Sequence, residues 1–295
     1  MKKAFAAFLA LFLLIPALAG AETVVTSFYP VWLLALNLAE GIDGLEIVNL
    51  AEPSTGCLHD YSLQNSDMSV LSRADALLIN GAGMESFLPV ITGAFPDLPV
   101  IDASSDLPLL SESGVVEIGE SEGEKEANAH LWLDPQLAGG MAANLAAGLI
   151  RLFPDRARQI TENLDSYTKR LTTLDETLRE GFSGCDRKVI IFHEAFPYFA
   201  RACGLTAAAV VNKEPEDSLP TAQLVRVAEL IKAETRMPLI LKSEEEDPAV
   251  STLVHETGVP VCELDPVTTG PADPPLDYYE AVMIGNMEKL QSSLQ

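Results

Sequence analysis

Three histidines stand in short stretches whose residue types could together bind a metal ion. They are His59 in Cys57-Leu58-His59-Asp60-Tyr61, His130 in Asn128-Ala129-His130-Leu131-Trp132-Leu133-Asp134-Pro135, and His193 in Ile191-Phe192-His193-Glu194-Ala195-Phe196-Pro197. The chain has only four histidines, and these three fall where a predicted strand or loop meets a predicted helix. Neutral imidazole is the commonest nitrogen ligand for a borderline cation, and open α/β sheets hold their ligands at strand ends. Asp265, in Leu264-Asp265-Pro266, extends the set to three nitrogens and one carboxylate oxygen, a donor set suited to tetrahedral zinc. A lone histidine is ordinarily structural, and only the three together point to one site. His255 lies inside a predicted helix and reads as a surface residue. Cys57 sits two residues before His59, but export favours its oxidation over an open thiolate.

The elements that must position these residues alternate between β-rich runs and helical patterns, which predicts parallel sheets in an α/β fold. Strands are expected at 23–27, 45–50, 76–80 and 100–103, and helices at 31–39 and 84–92. Asn65-Ser66-Asp67 reads as an N-cap ahead of a helix over 68–72. Residues 104–127, rich in Glu, Gly and Ser, read as an irregular solvated stretch. From 135 to 182 the pattern is helical, divided by Pro154. Beyond that proline, Ile160, Leu164, Tyr167, Leu171, Leu174 and Leu178 recur in steps of three and four. They describe a single helix of about 40 Å over 155–181, long enough to join two lobes. A second αβ set follows, with strands at 188–192, 205–211, 239–242 and 259–264. Helices are expected at 195–202, 219–233, 248–257 and 277–294.

The first twenty-one residues read as a secretory signal peptide: Lys2-Lys3, an apolar run to Pro16, then Ala17-Leu18-Ala19-Gly20-Ala21 as a small-residue cleavage zone. The apolar run is shorter than the ~20 residues of a membrane span. The formal charge of −24 at pH 7 disfavours nucleic acid and anionic lipid as partners and attracts cations. Cys57, Cys185, Cys203 and Cys262 show no metal-binding spacing, and export makes disulfides possible. Their three pairings are equivalent at this level.

Across nearly all of the mature chain the sequence resembles the zinc/manganese type of extracytoplasmic solute-binding protein, the metal-capturing component of ABC importers. The resemblance is carried by the His59 region followed by Ser66-Asp67, by Ala74-Asp75-Ala76-Leu77 with Asn80-Gly81, and by His130-Leu131-Trp132-Leu133-Asp134-Pro135. It continues through His193-Glu194-Ala195-Phe196-Pro197-Tyr198-Phe199 with Gly204-Leu205, Gly258-Val259 and Leu264-Asp265-Pro266. It implies two lobes, each with a small parallel sheet flanked by helices, bridged by one long rigid helix. The implied division is a signal peptide at 1–21, an N-terminal metal-binding lobe at 22–153, the bridging helix at 154–184 and a C-terminal metal-binding lobe at 185–295. His59 and His130 would come from the first lobe, and His193 and Asp265 from the second. The cargo would be Zn²⁺, with Mn²⁺ as the alternative. The partner would be the membrane permease of an ABC importer, and the protein a periplasmic or extracytoplasmic monomer.

Three features depart from that family's pattern. Zinc members often carry a histidine-rich loop where 104–127 has no histidine. Leu58 offers no acidic ligand beside His59. Ser243-Glu244-Glu245-Glu246-Asp247 replaces a Glu-Pro-Gln-like run, with Glu244 matching the family's glutamate. Harder oxygen donors suit Mn²⁺, so the N₃O set favours zinc, with Glu194 available as an acceptor beside His193.

A catalytic zinc is the rival reading, since an open coordination position could activate water. Neither His193-Glu194 nor His255-Glu256 continues to the second histidine of HExxH, and Asp265 as fourth ligand closes the sphere. An exported adhesin finds no support beyond export itself.

Overall fold

The computed structural model describes residues 21–51, 61–110, 116–117, 127–211 and 219–294. The expected signal segment up to Gly20, Cys57, His59 and most of 104–127 lie outside the described residues.

Two parallel sheets share one strand order. In the first, β1 (Glu22–Thr26), β2 (Leu45–Asn49), β3 (Ala76–Ile79) and β4 (Val100–Asp102) line up as β2-β1-β3-β4. Parallel neighbours cannot be joined by tight hairpins, and α1 (Tyr29–Ala39), α2 (Asn65–Leu71) and α3 (Leu88–Ala94) provide the crossovers. In the second, with β5 (Val116–Glu117) at one edge, β6 (Val189–Phe192), β7 (Ala207–Val211), β8 (Leu239–Lys242) and β9 (Val261–Glu263) run β5-β7-β6-β8-β9. In each sheet the chain steps from its first strand to one side and then crosses back to the other. That reversal opens a crevice at the carboxyl ends of the strands.

Between the sheets come α4 (Pro135–Leu152), a 3-10 turn at Pro154–Arg156 and α5 (Ala157–Gly181). Within the second sheet the crossovers are α6 (Phe196–Ala202), α7 (Thr221–Ala233) and α8 (Pro248–Thr257), and α9 (Tyr278–Leu294) closes the described chain. Pro154 breaks the long helical pattern as expected. α5 buries Ile160, Tyr167, Leu171, Leu174 and Leu178, while Leu164 is only half-buried. Asn163 takes the neighbouring buried place because its amide donates to Leu38 O and Glu40 O, each at 2.9 Å, where α1 ends. α5 packs on α1 and α4 of the first lobe and on α6 and α9 of the second, so one helix spans both.

The two lobes share a continuous core. Alternation along β6 sends Val189 and Ile191 into the same apolar cluster as the first lobe's Val24, Leu77 and Trp132. Ile190 and Phe192 point the other way, into a smaller cluster with Val227, Ile231, Val250 and Leu253 under α7 and α8.

Three expectations are corrected. The stretch 104–127 is not wholly irregular: Val116 pairs with Ala209 and Glu117 with Val210, adding a parallel edge strand to the second sheet. Val116 is β-branched, a residue type that favours strands. α2 starts at Asn65, capped by Gln64, with Asp67 inside its first turn accepting from Gln64 N at 2.7 Å. α3 begins at Leu88 rather than 84, because the preceding residues form a turn around a buried carboxylate.

That carboxylate is Glu85. Its Oε1 accepts from Ser27 Oγ and Asn80 N, both at 2.7 Å, and its Oε2 from Gly81 N at 3.1 Å. Burial raises its proton affinity above the ordinary carboxylate range, against the pull of these donors. It thereby ties the carboxyl ends of β1 and β3 together. Gly81 beside it has φ +80°, and a Cβ there would collide with Asp102 Oδ1, which is why the Asn80-Gly81 pair needs its glycine.

Candidate metal centre

His130 lies on the first lobe just ahead of α4. The segment Leu131-Trp132-Leu133 forms a buried 3-10 turn, and Asp134 caps α4 by accepting from Gln136 N and Leu137 N. The other oxygen of Asp134 accepts from Arg201 on α6 at 2.8 and 3.1 Å. Trp132 Nε1 donates to Pro266 O at 2.8 Å, and Tyr279 donates its hydroxyl to Trp132 O. The turn that carries His130 is therefore bolted to the second lobe on three sides. From below, Asn80 Nδ2 donates to Ala129 O at 2.9 Å, linking His130's chain neighbour to the Glu85 cradle. His130 itself is 3% exposed.

His193 follows the last residue of β6, at the carboxyl edge of the second sheet's switch strand. Its φ is +134°, a region costly for any residue with a side chain. Its Nδ1 accepts from Ala195 N at 3.1 Å. An amide N–H can only donate, so a neutral His193 ring held this way carries its proton on Nε2. The His193 and His130 rings meet edge to face across the lobes, with centroids 6.0 Å apart and planes at 71°. Two imidazoles ligating one zinc on a tetrahedron have centroids roughly 5 Å apart. The observed centroid separation is about an ångström wider than that.

The backbone strain at His193 has a measurable consequence. Glycine relieves about 1–3 kcal/mol of such strain and costs about 0.5–1 kcal/mol in chain entropy. With a chelator present, His193→Gly is expected to be more stable than His193→Ala by about 1 kcal/mol in urea unfolding. Equal stabilities would show that this φ carries no strain.

Asp265 follows β9 at the carboxyl edge of the same sheet. Its Oδ1 accepts from Val267 N at 2.7 Å, and Val267 itself has φ +60°. The buried Asn286 on α9 clamps its backbone, accepting from Asp265 N at 2.9 Å and donating to Asp265 O at 2.8 Å. Partial burial raises the Asp265 carboxyl above its ordinary range. The Val267 bond opposes that shift, Glu244 adds to it, and Lys289, ion-paired with Glu244 at 2.9 Å, reduces it.

Of the four expected ligands, the structure brings His130 and His193 together. Asp265 lies beside Pro266, the residue that anchors Trp132, and His59 lies outside the described residues. Among the described residues no group of three or more potential ligands converges on one point. Cys185, Cys203 and Cys262 are free thiols, so none of these three is paired with another, and burial raises the Cys203 and Cys262 thiols. Glu194, expected as an acceptor beside His193, accepts through its backbone oxygen from Asn128 Nδ2 at 2.6 Å.

Two parallel-sheet lobes joined by a single spanning helix define the fold of the helix-bridged solute-binding proteins. Residues 24–293 match the model of the ZnuA family, described as zinc-uptake complex component A, periplasmic, and the chain belongs to that family, whose members are binding proteins and not enzymes. The high-affinity zinc uptake system protein ZnuA of Brucella abortus is 26% identical over 310 residues, covering 92% of this chain and 92% of that protein. The zinc-binding lipoprotein AdcA of Streptococcus pneumoniae is 26% identical over 257 residues, covering 84% of this chain. The chain spans about half the length of AdcA, 50%. The solute-binding protein FpvC of Pseudomonas aeruginosa, solved in complex with Mn²⁺, shares the fold with a TM-score of 0.78 at 24% identity, covering 93% of this chain and 98% of its own. Among the described residues no helix is long and apolar enough to cross a membrane.

Proposed function

We propose that the chain captures one transition-metal ion, zinc in preference to manganese, with His59, His130, His193 and Asp265, and presents it outside the cytoplasm to the membrane permease of an ABC importer. The observation that carries the reading is the edge-to-face pair His130 and His193, one from each lobe, at 6.0 Å. Asp265 supports it from the carboxyl edge of the second sheet, and His59 by its place in the sequence after β2. Relatives named for zinc, ZnuA and AdcA, support the same cargo. The N₃O donor set suits tetrahedral zinc better than a manganese site, which favours more oxygen donors.

Uptake is expected to release protons, because imidazole must be neutral and carboxylate ionised to ligate. His193 gives up its Ala195 bond on either route: Nδ1 ligates in place of accepting it, or the ring proton moves from Nε2 to Nδ1 so that Nε2 can ligate. The raised Asp265 carboxyl has the same sign: a proton competes for it at a higher pH than for an ordinary aspartate. Free imidazole titrates near ~6.5, so zinc affinity should fall steeply from pH 7 to pH 5.5. Metal analysis of the purified protein, followed by competitive zinc and manganese titration across this range, tests the reading. An affinity that stays flat with pH would remove the histidines as ligands, and tighter binding of manganese would overturn the choice of cargo.

A further inference from the structure

The polar partner of His130 is Asn128, and its four contacts join both lobes. Asn128 Oδ1 lies 3.0 Å from His130 N and 3.1 Å from His130 Nδ1. Asn128 Nδ2 donates to Glu194 O at 2.6 Å, one residue from His193. Asn128 O accepts from Tyr198 on α6 at 2.8 Å. Oxygen and nitrogen of an amide are easily exchanged in assignment, but here the chemistry leaves one choice. A backbone N–H faces Oδ1 and a backbone carbonyl faces Nδ2, so each end of the amide has only one role available. With Oδ1 committed as an acceptor, the nearby His130 Nδ1 is a donor.

We propose that Asn128 is a positioning residue for metal capture: it holds neutral His130 as the Nδ1–H tautomer, so that the lone pair lies on Nε2, and it couples that ring to the backbone beside His193. The inference rests on the reading of His130 and His193 as ligands. A hydrogen-bond acceptor on the far nitrogen of a ligating histidine fixes ring orientation and raises its basicity, and loss of such a partner typically lowers metal affinity about 10–100-fold. The amide has a further property that a bare acceptor lacks. The oxygen that orients the first-lobe histidine and the nitrogen that grips the second-lobe turn belong to one rigid plane, so the lobes are brought into register by the group that presets the ligand.

The side-chain ¹⁵N shifts of the full chain, recorded with a chelator above the imidazole titration range, read the tautomer directly. Wild type should show His130 protonated on Nδ1. Asn128→Ala should shift it toward the Nε2–H form and weaken zinc binding 10–100-fold in competition titration. Asn128→Asp keeps an acceptor facing Nδ1 but loses the donor to Glu194. It should retain the Nδ1–H signature and bind zinc more tightly than Asn128→Ala. Should Asn128→Ala fail to fold, Asn128→Asp alone decides, since loss of its Nδ1–H signature overturns the proposal. An unchanged tautomer in folded Asn128→Ala overturns it too, as does equal zinc binding by the two variants. If the tautomer shifts as expected while wild type binds no zinc, the positioning role stands and the metal-capture reading falls.

Discussion

Replacing His59 and His130 together by alanine is expected to reduce zinc affinity by well over 100-fold. A partner one bond removed from the metal is already worth about 10–100-fold, and the double variant removes two of the four proposed donors themselves. Asp265 and His193 would remain as an incomplete sphere on the second lobe. The cost to the fold differs between the two positions. His130 is buried and braced by Asn128 and by Trp132, whose ring centroid is 5.0 Å away, so His130→Ala opens a cavity beside the turn. Circular dichroism and the melting temperature in chelator therefore belong beside the titration, to separate lost ligation from lost structure. Isothermal competition against a chelator of known affinity gives the number. Unchanged zinc affinity in the folded double variant would refute the site assignment.

The parts of this site that could be seen in the sequence are those whose chemistry is local. His130 sits beside a Trp-Leu-Asp-Pro run in which Asp134 caps a helix and Pro135 opens it, both readable from residue type. α8 is legible to the residue because Asp247-Pro248 at one end and Gly258 at the other punctuate the helix. Long-range partners left no such trace. Asn286 reaches Asp265 from α9, twenty-one positions away, and in the sequence it is one polar residue among several on that helix. Asn163 reads as a solvent-facing residue beside Leu164 until α1 ends against it. Glu85 was absorbed into a predicted helix because Met84 and its neighbours carry helical periodicity. Its carboxylate instead satisfies three donors at the strand ends, and tertiary pairing overrode local pattern. The strain at His193 is likewise invisible to periodicity, since nothing in Phe192-His193-Glu194 demands a positive φ.

Zinc is expected to raise the melting temperature by roughly 5–10 °C at a free concentration 100 times Kd, while small-angle scattering profiles with and without zinc nearly coincide. Mass action at that ratio contributes about 2.7 kcal/mol, and a chain of this size shifts by roughly 2–4 °C per kcal/mol. The scattering expectation follows from what a wide hinge would have to break. α5 carries Arg170, which donates to Asn37 on α1 and pairs with Glu280 on α9 at 3.3 Å. Asn37 in turn donates to Leu276 O at 3.0 Å, Tyr29 to Pro271 O at 3.1 Å, and Trp132 to Pro266 O. These polar ties sit around a core common to both lobes, and opening the cleft by tens of degrees would expose it. An adjustment of about an ångström at the His193 turn, by contrast, is the size of the excess in the centroid separation of the two rings. On the function proposed above, a permease would then distinguish loaded from empty protein by the local order of the His193 and Asp265 loops, not by a change of overall shape. Substantial compaction on zinc binding would mean that α5 bends and that the ties across the cleft are broken in the zinc-free protein.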